Sequence, residues 1–361
     1  MLCVFVPEYQ KFHCIAEKCP DSCCTGWEIV VDPESAVQYA SIPGGLGERL
    51  RHAMTEDADG DILFKGSDSR CPFWNQHHLC DIQSALGETA LCDTCRQFPR
   101  ITQDYGDSIE YDLSLSCPEA ARLLLTRTPE QLILIEEQHP ELIGDLPEYD
   151  PAKMQALQRQ RSELFQLIRD TSRPALEQLR QCLQLVCQWE NNSVVTDNCK
   201  VLMEEHFLAF LDSCEILTQD WDDILTQAAK KSDAPSFSVS QPLDAEIRAF
   251  AFDFLYRNYL RAAFTESALP FVQQLLFSVC AVLTILHRLE LQEQSRRLRI
   301  WQLFAKEMES DSDNLIELEW VLETEAVFSP GAFDAYLKQL GGACSFCIAG
   351  KNRFKPVEQM G

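Results

Sequence analysis

The chain has little basic charge and no apolar run long enough to span a bilayer. Among 361 residues, 31 are Lys or Arg and 56 are Asp or Glu, a formal net charge of −25. Acidic residues outnumber basic ones on both sides of residue 120, and no basic patch offers phosphate a counter-charge. That argues against nucleic acid as a partner. The acidity suits cationic partners such as lysine-bearing protein surfaces, and it equally suits a solvated surface with no partner. The most apolar run, Leu275 to Leu286, is broken by Ser278 and Thr284, well short of the roughly 20 residues a membrane helix needs. Met1 to Gln10 has neither the basic start nor the apolar length of a signal peptide. A soluble, cytoplasmic protein is the expectation. A nucleotide-binding G-x-G-x-x-G after a strand is also missing; Gly44-Gly45-Leu46-Gly47 reads as a turn.

Cysteine, by contrast, is abundant and ordered. Nine of the 17 cysteines lie between Cys14 and Cys117. They run Cys14, Cys19, Cys23-Cys24, then Cys71 and Cys80, then Cys92-x2-Cys95, then Cys117. Thiolates are soft donors that select zinc or iron–sulfur clusters over hard ions. In a reducing compartment such clusters bind metal more often than they form disulfides, and an odd total leaves one thiol over. All nine are candidate ligands. Adjacent Cys23 and Cys24 either serve two centres or leave one outside the metal's shell. Asp21 and Ser22 favour a turn that turns backbone amides toward sulfur. Cys92-Asp93-Thr94-Cys95 is a metal knuckle, although a redox dithiol has the same spacing. His77 and His78, between Cys71 and Cys80, read as either ligands or solvated side chains. The arrangement C-x3-C-x2-C is absent: Cys19-x3-Cys23 matches its first half, and Gly26 stands where the third cysteine belongs.

The expected fold is mainly α: an irregular cysteine-rich metal or cluster domain over 1–117, a multi-helix domain over 118–341, and an irregular tail over 342–361. Pro20-Asp21, Pro43 to Gly47, Glu56 to Asp61 and Gly66 to Ser69 mark turns in the first part. Trp27 to Val31 and Ile109 to Leu115 are β-prone, and Pro33 to Tyr39 suits a helix. Pro118 then opens a helical series: 118–126, 129–137, 151–171, 174–190, 196–211, 213–229, 243–264, 268–291, 293–309, 313–326 and 330–340. Lys231 to Pro242 reads as a mobile loop. Cys182, Cys187, Cys199, Cys214 and Cys280 read as core, and Cys344-x2-Cys347 as a second knuckle able to fold back on the first. Phe250 to Phe264 reads as a buried helix, with Asn258 or Tyr259 as a candidate pocket residue.

These residues resemble the flagellin lysine N-methylase family. The resembling segments are FHCIAEKCPDSCCTGWEIVVD (12–32), RCPFW (70–74), LC (79–80), LGETALCDTCRQFPR (86–100) and LSLSCPEAARLLL (113–125), with YRNYL (256–260) further on. The early pattern is also similar to a broader zinc- or iron-chelating eight-cysteine family. The resemblance implies S-adenosylmethionine-dependent N-methylation of flagellin surface lysines in the bacterial cytosol. It also implies a 4Fe-4S cluster held by the cysteine-rich motif, and it allows membrane-associated homo-oligomers. The alternative is a non-enzymatic zinc- or iron-binding module that binds a protein partner. No catalytic base and no S-adenosylmethionine site can be singled out.

Replacement of Cys14, Cys19, Cys23, Cys92 or Cys95 by Ser is expected to abolish metal binding, because a hydroxyl is a poor ligand for a soft ion. Replacement of Cys182, Cys199 or Cys280 should cost about 1 kcal/mol of packing and leave the metal in place. Metal analysis of the purified variants checks this; equal content in both sets contradicts it.

Overall fold

Proline sets where many helices begin, since its ring presets the helical φ and a first-turn amide needs no partner. Pro7, Pro33, Pro118, Pro151, Pro242 and Pro270 each sit in the first two positions of a helix. The computed structural model describes residues 2–66, 70–127, 133–136, 148–192, 203–231 and 239–344. In chain order, β1 (Leu2–Phe5) and α1 (Pro7–Lys11) precede the first cysteines. Then come α2 (Pro33–Ser41), α3 (Gly44–Ala53), β2 (Met54–Glu56), β3 (Ile62–Phe64), α4 (Asp81–Leu86) and α5 (Asp93–Gln97). β4 (Arg100–Asp104), β5 (Ser108–Leu113), α6 (Pro118–Leu125) and β6 (Ile133–Glu136) follow. The helical series is α7 (Pro151–Arg169), α8 (Ala175–Trp189), α9 (Met203–Ser213), α10 (Gln219–Ala229), α11 (Gln241–Asn258), α12 (Leu269–Arg288), α13 (Gln294–Glu309), α14 (Ser312–Thr324) and α15 (Pro330–Cys344). The protein is mainly α, as its sequence implies.

Three expectations need correction. The segment expected as a helix over 129–137 contains strand β6, where β-branched Ile133 and Ile135 favour an extended backbone that pairs with β1. Gly44 to Gly47 forms the first turn of α3 rather than a loop; a Cβ on Gly47 would meet the Ile42 carbonyl oxygen at 1.7 Å, so only glycine fits. Trp27 to Val31 forms no strand, only an isolated bridge from Val30 to Leu63. Cys199, Cys347, the Cys344 side chain, and most of the loop expected over Lys231 to Pro242 lie outside the described residues.

The four-stranded sheet has the order β4-β5-β1-β6, with β1 parallel to β5 and the other pairs antiparallel. It packs on the helices. The Tyr256 hydroxyl of α11 donates to the Val4 carbonyl at 2.9 Å, and Arg161 of α7 forks onto Glu110 of β5 at 2.5 and 2.8 Å. Val4, Val6, Leu113 and Leu115 therefore share one core with α7, α8, α11, α12 and α13. A second, smaller core gathers Cys24, Ile29, Val31, Tyr39, Leu50, Phe64, Phe73, Ile82 and Cys92. Stacked rings tighten the larger one: Phe250 on Trp301 at 4.5 Å and Phe165 on Phe252 at 4.2 Å. Helix α12 is long and apolar enough to cross a membrane, with mean hydropathy 2.0, yet 94% of that stretch is buried inside the protein.

One charged group in the larger core is under strain. Asp112 of β5 and Asp253 of α11 are both buried and face each other. Burial and then the neighbouring carboxyl push Asp112 well above the ordinary carboxylate range, and burial raises Asp253, both against the pull of Arg257 and Arg127. Glu8 and Glu309 engage the outer sides of those arginines. A carboxyl raised on folding contributes stability below its unfolded value of about 3.9 and loses it as pH rises through the folded value. Asp112→Asn should therefore raise the thermal midpoint at pH 8, on the order of 2 °C or more, and change it little at pH 4. A gain that is equal at both pH values contradicts this account.

Candidate metal centre

The first cysteine segment is shaped by turn chemistry rather than by helix propensity. Asp21 Oδ1 accepts from the Ser22 amide at 2.7 Å, and Ser22 Oγ accepts from the Cys24 amide at 3.0 Å. The Cys71 amide donates to the Cys24 carbonyl at 2.8 Å, which seats the second cysteine segment on the first. The Cys92–Cys95 knuckle is tied down in turn: Asp32 accepts from the Asp93 amide and Thr94 donates to the Val30 carbonyl, both at 2.8 Å.

Three of the nine cysteines occupy helix N-caps: Cys80 on α4, Cys92 on α5 and Cys117 on α6. First-turn amides have no helical partner there and can donate to sulfur. The Ile82 and Gln83 amides lie toward Cys80, the Cys95 amide toward Cys92, and those of Glu119 and Ala120 toward Cys117; each favours the thiolate without closing a capping hydrogen bond to sulfur. The Asp21 amide does the same for Cys19, and Phe73 for Cys71. Amides aimed at sulfur stabilise thiolate charge, as around metal-bound cysteines.

The sulfurs fall into two neighbourhoods that meet at Cys23. In the first, Cys14, Cys19 and Cys117 sense one another's charge. In the second, Cys24, Cys71 and Cys92 belong to the smaller core, Cys80 and Cys95 pack against it, and exposed Cys23 lies beside them. Cys23, Cys24 and Cys71 adjoin one another in series, and Cys95 adjoins Cys92. The Cys95 hydrogen bond pulls Cys92 down to about 7 against burial, and donating it pushes Cys95 up. The hydrogen bond from Cys24 likewise lowers Cys71, with burial opposing. Cys23 favours ionisation of Cys24, but donation to Cys71 and burial outweigh that and push Cys24 up to about 12. Cys23 rises because it donates to Cys24 and is desolvated; burial raises Cys117 to about 12. Among the described residues, no three His, Cys, Asp or Glu side chains converge on one point as a formed metal site. His77 and His78 are exposed, and His78 sets its ring edge-on to Trp74 at 5.2 Å. Cys182, Cys187 and Cys280 are buried in the larger core, as expected. Tyr259 is buried too, its hydroxyl donating to Gln160, and Asn258 donates to the Phe254 carbonyl.

Sequence reasoning did not identify what fastens this segment to the helices. Lys306 of α13, only 1% exposed, donates to Asp21 Oδ1 at 3.1 Å and to the Ser22 carbonyl at 3.2 Å. Its ammonium also lies 4.8 Å from the centre of the Trp27 ring. Arg299 and Gln302 both reach Asp21 Oδ2 at 3.0 Å. Gly26, at φ +94°, leaves room for this lysine: a Cβ there would stand 3.0 Å from Lys306 Cε. The available signal was a lone lysine inside the apolar stretch Ile300 to Met308. Beside this junction lies an open cavity of about 350 Å³, walled by residues 19–22, Thr25, Gly26, Trp74 and His78 on one side and by residues 217–220 and Arg299 on the other.

The chain is 31% identical over 139 residues to the Lysine-N-methylase of Salmonella typhimurium, covering 35% of this chain and 33% of that protein. It is 31% identical over 138 residues to the Flagellar biosynthetic protein FliU of Salmonella muenchen, covering 35% of this chain and 78% of that protein. A Lysine-N-methylase of Salmonella choleraesuis matches at 31% over 138 residues, again 33% of that protein. The matched region thus spans about a third of the two lysine methylases. No protein-family model matches the chain, and no solved structure matches it.

Burial works against ionising Asp21, yet Lys306 and Arg299 outweigh it and hold the carboxyl below its ordinary range. The stability this supplies is present above the unfolded carboxylate's pKa and is lost as pH falls through the folded one. Lys306→Met should cost on the order of 2 kcal/mol at pH 7, with the deficit shrinking once Asp21 is protonated. Urea unfolding at pH 7 and at pH 3 checks this; a deficit independent of pH contradicts it.

Proposed function

The chain belongs to the family of the Lysine-N-methylases and FliU, and from that premise we propose that it transfers methyl groups from S-adenosylmethionine to flagellin lysines, with its N-terminal thiols holding a 4Fe-4S cluster. The observation that supports the cluster assignment is the gathering of Cys24, Cys71, Cys80, Cys92 and Cys95 in one small core, with exposed Cys23 beside them. The donor set fits: it is all sulfur, partly buried and hydrogen-bonded, which suits a soft metal and no hard one. Four thiolates hold a 4Fe-4S cluster, and they would be drawn from this all-sulfur set, with Cys14, Cys19 and Cys117 at its edge where Cys19 adjoins Cys23. When bound, such a cluster supplies one-electron or Lewis-acid chemistry.

The methylation balances without further reagents. A neutral lysine amine attacks the methyl carbon; the new N–C bond forms as the C–S bond breaks, the sulfonium leaves as a neutral thioether, and one proton departs from nitrogen. The amine must lose its proton first, which desolvation near the protein favours. The net charge of −25 draws lysine-bearing surfaces toward the chain over distances comparable to the Debye length.

Co-expression with flagellin should place N-methyl-lysine on flagellin, while the Cys92→Ser and Cys95→Ser chains should leave it unmodified. Methylation at limiting substrate should slow as ionic strength rises. Mass spectrometry of flagellin peptides is the measurement. Unmodified lysines beside a wild-type chain that carries its metal contradict the methylase reading and favour the metal-binding module.

A further inference from the structure

We propose that the cavity at the seam between the cysteine segment and helices α10 and α13 binds the methyl donor, a nucleoside-bearing sulfonium amino acid; this rests on the methylase reading above. The cavity's volume, about 350 Å³, lies in the range of small-molecule sites and exceeds what one lysine side chain fills. Its walls carry both signs of charge. Arg299, partly exposed, presents a guanidinium for a carboxylate, and Asp220, 67% exposed at its side chain, presents a carboxylate for an ammonium or sulfonium. The two hold each other at 2.8 Å, and Arg299 also reaches Asp21 at 3.0 Å, so a zwitterion would meet a preset ion pair.

The aromatic wall suits a purine. Trp74 is half-buried, and the Arg70 guanidinium carbon stands over its ring 3.9 Å from the centre, so the indole already takes a cation on its face. Gln219 is exposed; its amide nitrogen donates to Asp222 and Asp223, and its oxygen can accept from a hydroxyl or an amino group. The wall on the cysteine side includes Cys19, so a donor seated there lies next to the thiols that would hold the cluster. The wall on the helical side is braced from behind. Glu307 accepts from both the Leu217 amide and the Thr218 hydroxyl at 2.6 Å, which keeps this wall in place. A preformed site of this kind loses little order on binding.

The test is calorimetric titration of the anaerobically purified full chain with S-adenosylhomocysteine, the unreactive product. Trp74→Leu and Asp220→Ala should each weaken binding about tenfold or more, and Gln219→Lys should weaken it without touching the packed interior. Gln155→Ala, in a separate surface groove of α7, should bind as wild type. Thermal melts identify any variant that fails to fold, and the remaining variants then decide. If all three seam variants retain wild-type affinity, the seam assignment is wrong and the methylase reading stands. If metal-loaded wild-type chain binds no S-adenosylhomocysteine, the methylase reading falls, and this inference with it.

Discussion

Six thiols gathered in and beside one small core cannot all ionise unless a cation joins them, and that constraint bears on the whole N-terminal third of this protein. Each thiolate would raise the cost of the next. Cys71 and Cys92 are held lowest, each by the thiol beside it. Helix N-caps at Cys80, Cys92 and Cys117 supply amides that favour thiolate. Short helices and turns make up the segment between, and its core is small. Metal binding would therefore be folding energy for this part of the chain, as in other small thiolate domains.

The segment does not stand alone. Asp21, between two cysteines, is gripped by Lys306, Arg299 and Gln302 of α13, so the loop that carries Cys19, Cys23 and Cys24 is registered against the helical body. Burying Lys306 is costly unless its charge is met, and the Asp21 carboxylate, the Ser22 carbonyl and the face of Trp27 all meet it. The same junction forms the cavity at the seam. The cavity proposed for the methyl donor and the cysteine segment thus share one boundary, which includes Cys19.

Much of this was legible in the sequence. The cysteine order marked the segment, Pro118 marked the start of the helical series, and helical periodicity placed α7, α8, α11, α12 and α13 within a few residues of their observed bounds. What was hidden depended on partners far apart in the chain. Strand β6 forms because β1 offers an edge more than a hundred residues earlier, and the Gly44 turn became a helix because Gly47 lets the backbone pass close to Ile42. Lys306 and Asp21 lie 285 positions apart. Nothing local marks Asp112 and Asp253 as a facing pair. Periodicity reads only neighbours three or four residues away; these contacts arise when the sheet and helices pack.

The claim on which the rest turns is that the gathered thiols hold an iron–sulfur cluster. Iron, zinc and acid-labile sulfide analysis of anaerobically purified chain tests it most directly. Iron and sulfide in matching amounts, with zinc absent, is the result this account predicts. Stoichiometric zinc without sulfide, or a folded, metal-free chain with all nine thiols open to titration, would contradict it.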